Sequence, residues 1–200
     1  MRRMEPEVKA RYSAVEIRDI AISVIVLSVA FTILFDRGGS TLDIWVLLGI
    51  SAVIVCASFV THELAHKFVA QMYRAWAEYR MNTFGLGIAL LMSFFGFIFA
   101  APGAVYINGR IDQRKNGIIS AAGPLVNIVL GSVAFILFLL TSGLISTIFF
   151  IMAFVNAFFA VFNMLPIMPF DGYKICKWSL SVYVLMIAAA GLLFLAVWFY

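Results

Sequence analysis

The feature that most restricts the fold is a run of 54 consecutive residues, 117–170, that contains no charged side chain. Four shorter uncharged stretches accompany it, at 20–35, 44–61, 81–109 and 179–200. Only 12% of the residues are Asp, Glu, Lys or Arg, whereas a soluble domain has about 25%. Because a helix that crosses a membrane needs about 20 apolar residues, this pattern predicts an all-α polytopic membrane protein.

The long uncharged stretch is long enough for two crossings, and Thr141-Ser142-Gly143 provides a tight turn between them. The stretch 81–109 is different, because it is too short for two crossings and several glycines and a proline interrupt any regular helix in it. Its end, 103–107, has the composition of a β-strand. Irregular backbone is tolerated at membrane depth where protein buries it or where it lines a cavity.

The distribution of basic residues predicts that 81–109 is re-entrant. With a cytoplasmic N-terminus and a crossing at 81–109, the 14 Lys and Arg residues divide into 8 inside and 6 outside. Without that crossing they divide into 13 inside and 1 outside, with only Arg37 on the far face. The second layout follows the positive-inside rule much better. We therefore expect about five crossing helices plus a re-entrant, strand-containing segment around 81–109.

Composition also excludes several classes of protein. The net charge of +4 is explained by topogenic charges in cytoplasmic loops, so we expect a lipid bilayer around the chain and no nucleic-acid partner. The first apolar stretch lacks a small-residue cleavage site and is predicted to be an uncleaved anchor.

Two isolated cysteines, Cys56 and Cys176, form no disulfide framework. The oligomeric state is not indicated by any of these features.

The only two histidines lie four residues apart, in the run His-Glu-Leu-Ala-His at 62–66. At this spacing both rings project from one face of a helix and can bind one metal ion. Glu63 can then reach a water molecule on that metal, an arrangement typical of zinc hydrolases. Two hydrogen-bonded core histidines are the simpler interpretation, but ionisable groups in membrane helices are costly and usually functional. Imidazole and carboxylate ligands favour zinc, so we expect one Zn²⁺ per chain.

A third ligand is required, because catalytic zinc commonly has three protein ligands and a water. Asp171 is the main candidate, in the segment Asn-Met-Leu-Pro-Ile-Met-Pro-Phe-Asp-Gly at 163–172. Its prolines end the preceding helix, and Asp-Gly favours a turn that brings the carboxylate back towards a neighbouring helix. Asp112 and Glu78 remain alternatives, although Glu78 is expected to be a solvated loop charge, and Cys176 is a weaker one.

Three motifs in order along the chain resemble the site-2 proteases, the zinc intramembrane metalloproteases also classed as peptidase family M50. They are the His-Glu-Leu-Ala-His run, Gly-Pro-Leu-Val-Asn at 123–127, and the 163–172 segment. The resemblance covers a catalytic core of about 44–178. Ala65 and Tyr173 stand where the family often has glycine, and neither position is that of a ligand.

The resemblance implies a role for each site residue. It implies that His62, His66 and Asp171 bind zinc, that Glu63 is the general base, and that Asn163 assists near the site as an oxyanion donor. It also implies an edge strand beside the active site at 103–108. Asn127, which lies one turn into a helix opened by Gly-Pro, is expected to make an interhelical hydrogen bond rather than to act in catalysis.

These observations predict one membrane-embedded metalloprotease domain, 1–200, that hydrolyses peptide bonds of transmembrane protein substrates. The predicted location is a prokaryotic plasma membrane, with the site near the cytoplasmic side. The alternatives are a zinc-binding membrane transporter or a non-catalytic scaffold. A CAAX-type prenyl protease would need a further Glu and His downstream, and the chain has no third histidine.

Overall fold

A computed structural model of the chain describes residues 12–98 and 101–200. Within these residues, five helical spans are long and apolar enough to cross a membrane, as the sequence predicted. These spans are Ala14–Arg37, Ile44–Met72, Gln113–Leu140, Gly143–Asn163 and Leu180–Trp198. Arg2, Arg3, Lys9 and Arg11, which entered the charge count, lie outside the described residues.

The secondary-structure elements follow one another in a simple order. They are α1 (Ala14–Arg37), α2 (Ile44–Val55), a π-helical segment (Cys56–Val60), α3 (Thr61–Met72), β1 (Trp76–Met81), α4 (Thr83–Ser93), β2 (Gly103–Asn108), α5 (Gln113–Leu140), α6 (Gly143–Asn163), α7 (Asp171–Trp178) and α8 (Leu180–Trp198).

Helix α1 begins six residues before the uncharged stretch from which it was predicted. The Ser13 hydroxyl caps it by accepting a hydrogen bond from the Glu16 N–H at 3.1 Å. The first turns carry Glu16 and Asp19, which are both buried. These carboxylates have partners inside the protein, so the helix includes the charged residues that precede the uncharged stretch.

The second span is one continuous helical rod, Ile44–Met72, whose middle is a wide turn. Between α2 and α3, residues Cys56–Val60 form a π-helical turn. The Thr61 hydroxyl returns to this turn by donating hydrogen bonds to the carbonyls of Ala57 and Ser58. The apolar α2 therefore leads directly into the predicted metal-binding helix α3.

The segment between β1 and β2 is re-entrant, as predicted. The two strands pair antiparallel, and the pair Met81 and Gly103 marks where the chain leaves the sheet and returns to it. The helix between them, α4, has 11 residues and spans about 17 Å, whereas the hydrocarbon core is about 30 Å thick. Strand β2 also confirms the strand predicted at 103–107.

Helix α5 is the central element, because α3, α6 and α7 all pack against it. It is joined to α6 by the predicted tight turn, in which Gly143 has a positive φ of 63°. A core of large apolar side chains, including Phe31, Phe59 and Phe159, holds α1, the second span and α6 together. The bundle thus brings the beginning of α3 to the same cavity as the C-terminal end of α6.

The predicted turn at Asp171-Gly172 is wrong, because these residues open helix α7. The reversal of the chain is made earlier, in residues 164–170, where Phe170 is extended and caps the helix. Gly172 lies against this reversal, and a Cβ there would come within 2.7 Å of the Leu165 carbonyl oxygen. The glycine is therefore required for close contact, and the loop before it returns the carboxylate to the bundle.

Candidate metal centre

Three predicted ligands meet in the structure. The Nε2 atoms of His62 and His66 lie 3.0 Å apart, and Oδ2 of Asp171 lies 3.5 Å from the first and 3.0 Å from the second. All three residues are buried. Among the residues that the structure describes, no other group of three His, Cys, Asp or Glu side chains is so arranged.

The separations between these atoms fit a zinc ion. In a tetrahedral site with bonds of about 2.0–2.1 Å, two ligand atoms lie about 3.3 Å apart. The observed separations of 3.0 to 3.5 Å lie on either side of this value. Two imidazoles and one carboxylate also leave one tetrahedral position for a water or substrate atom, as catalytic zinc sites do.

Gly123 of α5 leaves room for the ion. A Cβ at this position would lie 2.6 Å from His62 Nε2, and the Nε2 of His66 is also among its nearest atoms. Real Cβ atoms essentially never come so close to a neighbouring atom. Only glycine therefore lets α5 approach the Nε2 atoms of the two candidate ligands this closely.

The other ring nitrogens of the two histidines have hydrogen-bond partners. His62 Nδ1 lies 2.5 Å from Asn127 Oδ1, and His66 Nδ1 lies 2.8 Å from the Ile119 carbonyl oxygen. A carbonyl oxygen only accepts hydrogen bonds, so each Nδ1 carries a proton, and the neutral form of each ring would offer the lone pair of its Nε2 to a metal ion. Partners of this kind fix the ring orientation of metal-bound histidines.

A network of buried amides fixes Asn127 itself. Its Nδ2 donates to the Ser58 carbonyl at 3.1 Å and to Asn156 Oδ1 at 2.9 Å. Asn156 in turn donates to the Ser58 hydroxyl at 2.7 Å. The expected interhelical hydrogen bond of Asn127 exists, but it also reaches a candidate ligand. Ser58 and Asn156 were missed, although a lone amide in an uncharged membrane helix is a signal of its own.

Electrostatics favour the ionised form of Asp171. Burial acts to raise the pKa of this carboxyl, whereas the adjacent His66 and His62 rings lower it, and the net shift is downward. Lys174, one turn along α7, places its Nζ 3.7 Å from Asp171 Oδ1. The two oxygens of the carboxylate thus have different neighbours, Oδ2 facing the imidazoles and Oδ1 the lysine.

Glu63 and Asn163 line the same cavity as the three candidate ligands. The cavity has a volume of about 100 Å³, and β2 forms part of its wall. Glu63 is buried beside His62 on α3. Asn163, at the end of α6, donates one amide hydrogen to the Phe159 carbonyl at 3.0 Å, so its second amide hydrogen has no part in that bond.

The alternative ligands lie elsewhere. Asp112 caps α5 by accepting from the Lys115 N–H at 2.8 Å. Glu78 is buried in β1 and pairs with Arg80, so the expectation of a solvated loop charge was wrong. The carboxylate of Glu78 forms its ion pair within the same strand, with Arg80. Cys176 is half-buried in α7 and is not part of the cluster.

Fold and site together define a polytopic membrane protein in which two histidines of a His-Glu-x-x-His helix and Asp171 form a buried group that could hold a metal ion. A sequence model of peptidase family M50 matches residues 139–190, which include Asn163 and Asp171. A relative from Methanocaldococcus jannaschii, named "putative zinc metalloprotease", is 41% identical over 173 residues, which are 84% of this chain and 87% of the relative. The chain belongs to peptidase family M50.

A second relative, from Bacillus subtilis, carries the same description and is 28% identical over 151 residues, 62% of this chain and 66% of its own length. No solved structure gives a significant match to the chain.

Proposed function

We propose that this member of peptidase family M50, a zinc metalloprotease by class, is an intramembrane endopeptidase that hydrolyses peptide bonds of transmembrane protein substrates. One observation carries the proposal. Three ligand atoms at zinc-compatible separations lie in a buried cavity together with a glutamate, within a bundle of membrane-spanning helices. Ionisable groups at such depth are rarely retained without a function.

The residues divide into ligands and proton carriers. His62, His66 and Asp171 would hold the zinc ion, which when bound lowers the pKa of a coordinated water and polarises the scissile carbonyl. Glu63 takes the proton of the attacking water and delivers it to the leaving amine. The free amide hydrogen of Asn163 is placed to donate to the substrate carbonyl oxygen as negative charge develops on it.

The substrate must reach this cavity in an extended form, because a transmembrane helix hides its peptide bonds within its own hydrogen bonds. Strand β2 forms one wall of the cavity through Gly103, Val105 and Ile107. Pairing of a locally unwound substrate with β2, by strand addition, would hold the scissile bond beside the ligands. The core that performs this reaction is residues 44–178 of one membrane domain.

The site is proposed to face the cytoplasm across a prokaryotic plasma membrane. Basic residues lie just before and at the start of α5 and in α7, the helix that begins with Asp171, and the positive-inside rule favours a cytoplasmic location for this end of the bundle. They are Arg110, Arg114, Lys115, Lys174 and Lys177. Relatives from an archaeon and a bacterium support the prokaryotic assignment.

The test compares zinc content and proteolysis in three purified proteins. The wild type is expected to hold about one zinc ion and to cleave a reconstituted transmembrane peptide. Glu63→Gln should keep the zinc and lose cleavage, because only the proton acceptor is removed. Asp171→Ala should lose both, because two imidazoles alone hold zinc weakly.

Each of three results would contradict the assignment. Proteolysis by Glu63→Gln with its zinc retained would rule out the general base. Full zinc retention by Asp171→Ala would break the three-ligand site and make Asp112 a candidate again. Zinc binding by the wild type without cleavage would favour a non-catalytic scaffold.

A further inference from the structure

The two-stranded sheet beside the site has one edge that is closed and one that is open. In an antiparallel pair, directly opposite residues alternate between those that hydrogen-bond to each other and those whose N–H and C=O point away from the partner strand. The Asn82 N–H donates to the Pro102 carbonyl at 2.7 Å, which identifies a hydrogen-bonded position. In the next pair, Met81 and Gly103, the N–H and C=O groups therefore point away from the partner strand. The same holds two residues further on, for Tyr79 and Val105.

Side chains cap the outward groups of Tyr79 and the outward N–H of Met81 in β1. The Tyr79 N–H donates to Glu16 Oε1 at 3.0 Å, and the Met81 N–H donates to Asp19 Oδ2 at 3.3 Å. The Tyr79 carbonyl accepts from Arg80 Nη1 at 3.0 Å. Glu16 and Asp19 are three residues apart on α1 and share one face of the helix, and the two amides they cap are two residues apart on the strand.

The outward groups of β2 are not capped in this way. The register places the N–H and C=O groups of Gly103, Val105 and Ile107 on the edge that faces away from β1. Within residues 12–98 and 101–200, these groups take part in no side-chain hydrogen bond and in no backbone bond beyond the strand pair. The same three residues line the cavity that holds His62, Glu63 and His66.

Glu16 also joins the sheet to the metal-binding helix. Its second oxygen, Oε2, lies 2.5 Å from Lys67 Nζ, and both side chains are at most 1% exposed. Lys67 follows His66 directly on α3. One buried carboxylate therefore binds a strand amide through Oε1 and a lysine beside a candidate ligand through Oε2. Breaking one partner of such a pair is strongly destabilising, so the geometry is held firmly.

We propose that Glu16 and Asp19 are positioning residues, which close the β1 edge and fix the sheet to α3, so that an extended apolar peptide adds only at β2. An uncapped strand edge is a template for any other strand, and two open edges would offer two docking positions. Only the β2 position lies against the metal ligands. This inference rests on the proposed function, because it takes the added strand to be the substrate.

The first test uses two matched double variants, Glu16→Gln/Lys67→Met and Glu16→Leu/Lys67→Met. Both remove the buried ion pair, but only glutamine keeps an oxygen that can accept from the Tyr79 N–H. Amide hydrogen exchange of the full-length protein in lipid bicelles should be about tenfold faster at Tyr79 in the leucine variant than in the glutamine variant. Equal rates would overturn the capping role.

A second pair of variants, which keeps the buried ion pair, tests the same idea in case the double variants do not fold. Asp19→Ala removes the acceptor of the Met81 amide and the partner of Arg18 and leaves the ion pair of Glu16 intact, whereas Asp19→Asn keeps an acceptor oxygen. Faster exchange at Met81 in the alanine variant alone is expected. The same rate at Met81 in both variants would refute the role of Asp19.

The second test locates the added strand. The probe is a synthetic apolar peptide of about 20 residues, enough to span a bilayer, with a central Gly-Pro that weakens its helix. In Glu63→Gln protein it should protect the amides of Gly103, Val105 and Ile107 and leave Tyr79 unchanged. In the leucine double variant, protection should extend to Tyr79. Absence of protection at β2 with saturating peptide, or protection of Tyr79 with the cap intact, overturns the proposal.

Cleavage of the same peptide by protein that retains Glu63 separates this inference from the proposed function. Protection at β2 without cleavage would refute proteolysis and leave the edge assignment standing. Cleavage without protection at β2 would refute the edge assignment and leave the proposed proteolysis standing. Zinc content, measured in each variant, shows whether the metal centre itself is intact.

Discussion

Replacing Asn127 by alanine is the sharpest test of how the metal centre is built. Asn127 Oδ1 is the partner of His62 Nδ1 at 2.5 Å, and that nitrogen makes no other hydrogen bond among the described residues. Loss of such a partner typically lowers metal affinity by about 10- to 100-fold, which corresponds to about 1.4–2.7 kcal/mol of binding free energy. His66 should be unaffected, because its partner is the Ile119 backbone carbonyl.

The same substitution should also lower the free energy of unfolding. It removes the donor to Asn156 Oδ1, and an unsatisfied buried group of this kind costs about 1–3 kcal/mol, whereas the Ser58 carbonyl keeps the hydrogen bond from the Thr61 hydroxyl. Asn156→Ala is the matched control, because it disturbs the network and leaves the bond between Asn127 and His62 in place. It should lower stability with a much smaller effect on zinc.

The assay is a zinc titration of metal-free protein against a chromophoric chelator, with thermal unfolding of the same samples. We expect the loss of zinc affinity in Asn127→Ala to exceed clearly that in Asn156→Ala. Wild-type affinity in Asn127→Ala would show that the His62 ring is oriented without its amide partner. Equal losses in the two variants would show that the effect is one of general packing.

Three further substitutions test other parts of the structure. Gly123→Ala should abolish zinc binding with unchanged helicity by circular dichroism, because its Cβ would lie 2.6 Å from His62 Nε2; normal zinc content would contradict this. Glu16→Ala should destabilise the protein by about 3–5 kcal/mol in denaturant unfolding, whereas Glu16→Gln/Lys67→Met should lose much less, because it removes both charges and keeps an acceptor for the Tyr79 N–H; equal losses would refute an uncompensated charge as the cause. Asn163→Ala should lower kcat about 100-fold with zinc unchanged, and an unchanged kcat would remove its oxyanion role.

Local patterns predicted much of this fold. The crossing helices follow from the length of uncharged stretches, and β2 follows from residue composition next to a proline and a glycine. His62, Glu63 and His66 follow from helical spacing within one turn. Each of these inferences uses residues that are neighbours in sequence, and the structure places them together as the spacing requires.

Contacts between distant parts of the chain were not predictable in the same way. The pair of Glu16 with Lys67 joins residues 51 apart in sequence, and the bond of Asn156 to Ser58 joins residues 98 apart. No periodic pattern in the sequence identifies such pairs of residues, because only tertiary packing brings them together.

The turn at Asp171 was misplaced for a related reason. Asp-Gly is typical of turns, but an aspartate is equally favourable in the first turn of a helix, where it faces the positive end of the helix dipole. The close approach of Gly172 to the chain reversal before it decides between these two roles, and that approach is visible only in three dimensions.

The π-helical turn Cys56–Val60 sets the rotation of α3 relative to α2 within the continuous helix Ile44–Met72. An α-helix advances about 100° per residue, and a π-helical turn accommodates an extra residue within a helix. Deleting one residue from this turn would therefore rotate His62 and Glu63 by about 100° relative to α2. A chain with the same five-residue motif but a regular helix before it would present its histidines to a different neighbour. Rotational phase, as much as the motif, thus determines which helix can supply the third ligand.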